Sequence, residues 1–304
     1  MAHEHAPGHS HAPADYGRAF AIGIALNSGF VVVEATFGIL SHSLALVADA
    51  GHNLSDVLGL FLAWGASILV RRRPTARRTY GLRRSSILAA LLNAVFLLVA
   101  IGAIAWEAVG RFAHPQPVAG GTVIWVALVG IAVNTATALL FMAGRKDDLN
   151  IRGAFLHMAA DAGVSLGVVL AGIAILLTGW QWLDPVVSLA IVAVILVGTW
   201  ELLRDSVNLA LDGVPEGIDA AVVAAYLATL PGVTEVHDLH IWAMSTTETA
   251  LTAHLVIPRG DDGDTLLARA GADLHERFGI AHPTIQIERG DPAHPCDSTA
   301  PEAI

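Results

Sequence analysis

The sequence predicts an α-helical membrane protein with six transmembrane helices, followed by a C-terminal α+β domain in the cytosol. Of its 304 residues, 54% are hydrophobic and only 14% are charged. The mean hydropathy of +0.60 is higher than an ordinary soluble domain of this length would show. After about residue 208 the hydropathy falls and shorter periodic patterns begin. The chain therefore combines a membrane part with a soluble part.

Six stretches are apolar and long enough to cross about 30 Å of hydrocarbon, a distance that takes about 20 helical residues. They are 19–40, 44–70, 86–109, 121–143, 153–179 and 182–203. No cleavable signal is evident, because residues 1–18 are polar and rich in histidine and the first apolar stretch is long enough to remain as a span. An even number of spans returns both termini to the same side of the membrane.

The distribution of basic residues predicts which side that is. The 71–84 loop holds seven arginines, and the 144–152 loop holds Arg145, Lys146 and Arg152. The connections at 41–43 and 179–182 hold none. Because short loops rich in Lys and Arg stay in the cytosol, both termini are expected to face it.

The soluble part has a pattern of short elements. We predict a helix at 217–229, strands at 234–243 and 249–257, a helix at 263–278 and a strand at 283–289. The order α-β-β-α-β suits a sheet with helices on one face. The expected domains are a His-rich cytosolic tail at 1–17, a six-helix transmembrane domain at 18–208, a cytosolic domain at 209–290 and a disordered tail at 291–304.

Charge and cysteine content restrict the class of partner. The formal net charge is −10, and acidic residues outnumber arginines after residue 205, so nucleic acid is not an expected partner. Cys296 is the single cysteine, which excludes an internal disulfide framework and the thiolate-rich sites usual for structural zinc.

Two matched pairs of ionisable residues lie inside the apolar stretches. HNLSD places His52 and Asp56 four residues apart in the second span, and HMAAD does the same for His157 and Asp161 in the fifth. Residues i and i+4 share one helix face, so each pair offers an imidazole and a carboxylate to one point. An ionisable side chain at the bilayer centre costs about 2.5 kcal/mol or more, so four of them indicate a function. For any single residue the alternative is a helix–helix hydrogen bond or a snorkelling group.

The donor atoms favour a particular metal. Two imidazole nitrogens and two carboxylate oxygens suit tetrahedral zinc, with Co²⁺ or Cd²⁺ able to substitute, whereas Mg²⁺ and Ca²⁺ require more oxygens. Protons compete with the metal for these atoms, since binding requires neutral imidazole and ionised carboxylate. A site that opened alternately to each side would exchange zinc for protons.

These segments resemble the cation diffusion facilitator family of zinc/proton antiporters. The similarity covers about residues 18–290 and rests on SLALVADAGHNLSD, YGLRRSSILAAL, GIAVN, HMAADAGVSLGV, WLDPVVS, GVPEGID and VHDLHIW. The resemblance implies a homodimer in the bilayer, in the bacterial inner membrane, that exports zinc from the cytosol in exchange for protons. It also implies a transport site made of His52, Asp56, His157 and Asp161.

The same resemblance implies that the α-β-β-α-β cytosolic domain has a ferredoxin-like fold. It also implies a regulatory metal site in this domain, at His237, His254 and Glu288. His240 is left out, because it is three residues from His237 and the two would point to opposite faces of a regular strand. His282 could join a site or lie on the surface. The alternative for all these histidines is an ordinary polar position at the end of a strand.

Two further regions bear on metal handling. The loop between the second and third spans lacks the aspartate and histidines that form a peripheral metal site in some relatives, so that site is expected to be absent. The N-terminal segment contains four histidines in a polar stretch, which is typical of a flexible metal-capturing tail or of a tail without a selected function. They are His3, His5, His9 and His11.

Three other functions remain open at this stage. The first is transport of cobalt, nickel, iron or cadmium on the same frame, and the others are a membrane hydrolase with a catalytic metal and a metal sensor without transport. An enzyme is not expected: Gly163, Ser165 and Gly167 spell G-x-S-x-G, but inside a span rather than at a strand-to-helix turn. Asp49 lies three residues before His52 and could support the site or serve only as a structural hydrogen-bonding group.

Overall fold

The computed structural model describes residues 17–70, 73–142, 149–258, 263–291 and 296. The four histidines of the expected N-terminal tail, together with Arg145 and Lys146, lie outside these residues, as does most of the expected C-terminal tail. Two compact units divide the chain. One comprises the residues up to 58 together with 97–197, and the other comprises 59–96 together with the residues from 198 onward.

Six long helices confirm the predicted helical membrane domain. They are α1 (Gly17–Leu40), α2 (Leu44–Val70), α3 (Ser85–Ala113), α4 (Gly120–Phe141), α5 (Leu149–Thr178) and α6 (Leu183–Ala210). Among the described residues, five of them are long and apolar enough to span a membrane. The sixth is α2, whose 27 residues are also sufficient in length. This helix carries polar residues among its apolar ones, including His52 and Asp56.

In the first unit, a buried carboxylate holds the start of α2. Asp184 accepts hydrogen bonds from the hydroxyl of Ser43 at 2.5 Å and from the backbone N–H of Leu44 at 2.8 Å. Nη1 of Arg111 lies 3.5 Å from the same carboxylate. Because the first N–H groups of a helix have no partner within the helix, Asp184 satisfies donors that would otherwise be buried and unpaired.

Glycines let α4 and α5 approach closely in the same unit. A Cβ atom added at Gly172 would lie 2.8 Å from Cγ1 of Ile124 and 3.3 Å from the carbonyl oxygen of Gly120. Small residues at such a crossing allow backbones to pack against each other, which is a common way for membrane helices to associate. This packing helps to fix α5, which carries His157 and Asp161.

The second unit contains the predicted α-β-β-α-β domain. Its elements are α7 (Ala220–Ala228), β1 (Glu235–Ala243), β2 (Thr249–Val256), α8 (Gly263–Phe278) and β3 (Ile280–Glu288). The sheet has the order β1-β2-β3, with β1 antiparallel and β3 parallel to β2. Helix α7 begins later than predicted because Asp219 is its N-cap and accepts a hydrogen bond from the N–H of Ala221. Strand β3 begins at Ile280 rather than at 283, because Gly279 turns the chain at φ 69° directly after α8.

The two faces of this sheet have different environments. Leu251, Ala253 and Leu255 of β2 are fully buried and belong to the core formed with α7 and α8. The alternate residues Thr252 and His254 are only partly buried and lie on the other face, as the two-residue period of a strand requires. Polar ligands on that face are therefore separated from the hydrophobic core by the sheet itself.

Candidate metal sites

Helices α2 and α5 bring the four predicted transport ligands together. Nε2 of His157 lies 3.1 Å from Oδ2 of Asp56 and 3.6 Å from Oδ2 of Asp161. Nε2 of His52 lies 3.5 Å from Oδ1 of Asp161 and 3.9 Å from Oδ2 of Asp56. Each imidazole thus directs Nε2 toward both carboxylates, one from its own helix and one from the other helix.

These separations suit a small tetrahedral cation. Zinc binds nitrogen and oxygen ligands at ~2.0–2.2 Å, which places adjacent ligands of a tetrahedron about 3.3–3.6 Å apart. The distances between the imidazole and carboxylate atoms run from 3.1 to 3.9 Å. One ligand atom from each of Asp56, His157 and Asp161 can be chosen so that all three lie within 4.8 Å of one another, and a shift of the His52 side chain would add the fourth donor.

A layer of polar side chains lies beside this cluster. The amide of Asn53 donates to Oε2 of Glu34 at 3.0 Å, and the hydroxyl of Ser165 donates to Oδ2 of Asp49 at 3.2 Å. Glu34 and Asp49 are both fully buried. Ser165 therefore acts as a hydrogen-bond donor inside helix α5, and the G-x-S-x-G pattern does not form a nucleophile elbow. Asn53 and Asp49 come from the same turns of α2 as His52.

The three predicted cytosolic ligands also lie close together, on the sheet face opposite the core formed with α7 and α8. Nδ1 of His254 lies 2.9 Å from Oε1 of Glu288, and Nε2 of His237 lies 3.5 Å from Oε2 of the same carboxylate. The two imidazole centroids are 5.3 Å apart, with the rings nearly perpendicular. Strands β1, β2 and β3 each supply one of the three residues.

A β-bulge in β1 shapes this cluster. His237 pairs with His254 and His240 pairs with Thr252, so β1 advances three residues while β2 advances two. The extra residue makes this a bulge, in which Asp238 adopts a positive φ of 51°. The prediction that His237 and His240 point to opposite faces is therefore wrong, because the bulge returns His240 to the face of His237.

His240 nevertheless lies outside the cluster of donors. Its side chain is half exposed, and its Nε2 lies 3.0 Å from Oδ1 of Asp238. The other carboxylate oxygen of Asp238 lies 3.4 Å from Nε2 of His254. His282 is also elsewhere, because its ring contacts Tyr80 at a centroid distance of 5.8 Å.

The cytosolic cluster contains one residue that the sequence did not indicate. Sγ of Cys296 lies 3.4 Å from Nδ1 of His254. One ligand atom from each of Cys296, His237, His254 and Glu288 can be chosen so that all four lie within 4.8 Å of one another. The sequence signal was proximity in the chain, since Cys296 follows the predicted ligand Glu288 by eight residues.

The charge state of Glu288 fits a position among hydrogen-bond donors and imidazoles. Burial of its carboxyl acts to raise the pKa, but the hydrogen bond from Cys296 and the neighbouring His237 and His254 outweigh burial. The pKa of Glu288 therefore lies below its ordinary value. An ionised carboxylate is the form that binds a cation.

A helical membrane domain with a cluster of two histidines and two aspartates between its helices, joined to a small α+β domain with a second cluster of histidines and carboxylates, is typical of an integral membrane protein that handles metal cations. The family profile described as the cation efflux transmembrane domain matches residues 20–209. A second profile, described as the cytoplasmic domain of cation efflux proteins, matches residues 215–290. The chain belongs to the cation efflux family, which is a family of transporters.

Several bacterial proteins are similar over almost the whole chain. The zinc transporter ZitB of Escherichia coli strain K12 is 38% identical over 307 residues, which cover 100% of this chain and 97% of that protein. A cadmium, cobalt and zinc/H⁺-K⁺ antiporter of Bacillus velezensis is 34% identical over 96% of this chain and 94% of that protein. The metal cation efflux system protein CzcD of Cupriavidus metallidurans is 35% identical over 92% of this chain and 90% of that protein.

Proposed function

We propose that this chain exports zinc from the cytosol in exchange for protons. The observation that supports this most directly is the convergence of His52 and Asp56 from α2 with His157 and Asp161 from α5. Two imidazole nitrogens and two carboxylate oxygens are a donor set that suits tetrahedral zinc as cargo. Such a site lies within helices that are long enough to span a membrane.

The donor set ranks the metals only coarsely. Imidazole and carboxylate ligands accept zinc, cobalt and cadmium, and affinity alone separates these ions poorly. The Bacillus velezensis relative is named for all three metals, whereas the Escherichia coli relative is named for zinc. Zinc is our first choice, and transport of cobalt, nickel, iron or cadmium is the alternative.

Proton exchange follows from the chemistry of the ligands. Zinc binds the imidazole lone pair and the ionised carboxylate, and protons bind the same atoms. A proton that arrives from outside therefore opposes zinc binding, and release of that proton toward the cytosol permits the next ion to bind. The Bacillus velezensis relative is named as an antiporter that uses protons, which agrees with this scheme.

A hydrolase is less well supported by the site. Catalytic zinc usually has three protein ligands and a position open to water. Here four protein side chains converge, and Asp161 is almost fully buried between both imidazoles. We therefore propose a transporter that is not an enzyme, and we regard a metal sensor without transport as the remaining alternative.

The cytosolic domain is proposed to form a homodimer and to sense zinc. Its family profile bears the name ZT_dimer, and its description places the domain in the cytoplasm. We propose His237, His254 and Glu288 as a regulatory metal site. The proposed arrangement keeps both termini in the cytosol and the membrane domain in the bacterial inner membrane. The proposed domains are a His-rich tail at 1–17, the transmembrane domain at 18–208, the cytosolic domain at 209–290 and a C-terminal tail at 291–304.

Zinc flux in proteoliposomes tests this function. An imposed pH gradient should drive zinc uptake in the intact protein, and Asp161→Asn should abolish it. Glu107→Gln is the matched control, because Glu107 is an exposed carboxylate near the end of α3 and should leave the flux unchanged. Flux that ignores the pH gradient would exclude antiport, and flux that survives in Asp161→Asn would mean that the transport site lies elsewhere.

Competition between metals in the same vesicles addresses the cargo. Zinc flux should be inhibited by cadmium and cobalt and should be insensitive to magnesium, which requires more oxygen ligands. Stronger transport of cobalt, nickel or iron than of zinc would favour the alternative cargo. Binding of zinc without any flux would favour the sensor.

A further inference from the structure

The thiol of Cys296 approaches the cytosolic cluster at the spacing of a metal ligand. Zinc binds sulfur at ~2.3 Å and imidazole nitrogen at ~2.0–2.1 Å, which sets neighbouring sulfur and nitrogen ligands about 3.5 Å apart in a tetrahedron. Sγ of Cys296 lies 3.4 Å from Nδ1 of His254. Three strands supply the other donors, and the thiol comes from the segment that follows β3.

The imidazole of His237 provides an independent indication that a ligand belongs here. Both of its ring nitrogens are buried, and neither has a hydrogen-bond partner among the described residues. Buried polar atoms in native proteins are nearly always paired, and an exception requires an explanation such as an ion. A cation held between His237, Glu288 and Cys296 would satisfy the Nε2 atom.

We propose that Cys296 is the fourth ligand of the cytosolic site, which then binds zinc or cadmium through one thiolate, two imidazoles and one carboxylate. This inference rests on the proposed regulatory site and adds a fourth ligand to it. Four protein ligands leave no open position, which is the pattern of structural and sensing sites. A thiolate also shifts preference toward zinc and cadmium and away from magnesium and manganese.

Cobalt spectroscopy on the full-length protein tests the proposal directly. Cys296 is the single cysteine of the chain, so a thiolate-to-Co²⁺ charge-transfer band can arise from this residue alone. The intact protein should show that band together with the intense visible absorption of tetrahedral Co²⁺, and added zinc should remove both. The band should disappear in His237→Ala and in His254→Ala, and it should persist in His240→Ala, which alters a neighbouring histidine outside the cluster.

Thiol protection provides a second readout that does not depend on cobalt. Zinc should slow alkylation of Cys296 in the intact protein and in His240→Ala, and it should have no effect in His237→Ala. Cys296→Ser should lower the zinc affinity of this site by at least about tenfold, since even groups that only support a ligand contribute ~10–100-fold. Because Cys296 lies outside the helices and strands, the serine variant should fold normally.

The outcomes separate this inference from the proposed regulatory site. If Cys296→Ser binds zinc normally while His237→Ala loses the cytosolic binding, the three-residue site stands and the fourth ligand is rejected. If neither variant changes zinc binding, both proposals are wrong. Alkylation of Cys296 at the same rate with and without zinc in the intact protein would also overturn the inference.

Discussion

Oδ2 of Asp238 lies 3.4 Å from Nε2 of His254, the ring nitrogen opposite the one that faces Glu288. With a metal at Nδ1, this carboxylate would face the Nε2–H group, an arrangement that orients many histidine ligands. The β-bulge places the Asp238 carboxylate beside His254, because Asp238 is the bulged residue with positive φ. We therefore predict that Asp238 positions His254 in the proposed cytosolic site.

Replacing Asp238 should weaken metal binding without removing a ligand. We expect Asp238→Asn to lower the zinc affinity of the cytosolic site by ~10–100-fold, the usual effect of losing a carboxylate behind a histidine ligand. Competition with a chromophoric zinc chelator would measure this change. His240→Ala is the control, because His240 contacts the other oxygen of the same carboxylate. Equal affinities for Asp238→Asn and the intact protein would contradict the assignment.

The sequence was sufficient to predict those features of the structure that depend on a local pattern of residues. The spacing of four between His52 and Asp56 identified a shared helix face, and the lengths of the apolar stretches predicted the helices that carry it. The sequence was not sufficient to predict the structure where a single residue changes the pairing register of a strand. The single extra residue at Asp238 is invisible in the alternation of β1, yet it decides on which face His240 lies.

Contacts between distant segments were equally inaccessible from the sequence. Asp184 is 140 residues from Leu44, and no periodic pattern indicates that it caps α2. The sequence around Cys296 is polar and rich in proline, a composition that predicts a disordered tail. Its contact with His254 depends on how the chain returns after β3, which composition does not determine.

The cap formed by Asp184 predicts a large effect on stability. Asp184→Ala would leave the N–H groups at the start of α2 and the mostly buried guanidinium of Arg111 without their carboxylate. Breaking a buried pair in this way costs about 3 kcal/mol or more, so thermal unfolding in detergent should begin on the order of 10 °C lower. Size-exclusion chromatography after heating would measure the change.

The matched control for this prediction is the other carboxylate that contacts Arg111. Oε1 of Glu107 lies 3.3 Å from Nε of Arg111, but its side chain is 56% exposed. Exposed ion pairs contribute about 0–1 kcal/mol to stability, so Glu107→Gln should unfold at nearly the same temperature as the intact protein. Equal melting of Asp184→Ala and Glu107→Gln would show that the cap contributes little.

Two glycines of α5 should respond oppositely to the same substitution. A methyl group at Gly172 would lie 2.8 Å from Cγ1 of Ile124 and would push α4 away, so Gly172→Ala should cost about 1–3 kcal/mol. Among the described residues, no atom lies within 4 Å of a Cβ at Gly167, where alanine favours the helix by up to about 1 kcal/mol. Thermal stability in detergent and zinc flux should both fall in Gly172→Ala only. A fall in Gly167→Ala instead would contradict the packing seen between α4 and α5.

Tyr226 predicts how the cytosolic domain responds to alkaline pH. Burial, followed by the hydrogen bond from its hydroxyl to Oδ2 of Asp273 at 2.5 Å, raises the pKa of Tyr226 to about 12. An unfolded tyrosine titrates near ~10, so between these values the unfolded chain has released a proton that the folded chain retains. The contribution of Tyr226 to stability is therefore fully present below pH ~10 and is lost as the pH rises through about 12.

Tyrosinate absorbance of the full-length protein checks this prediction, since the chain has only three tyrosines. The native protein should show a late ionisation near pH 12, and Tyr226→Phe should lack it. Tyr80→Phe is the control and should retain the late phase, because Tyr80 is half exposed and lies outside the domain core. If all three tyrosines of the native protein ionised together near pH ~10, the Tyr226–Asp273 hydrogen bond would not protect the phenol as described.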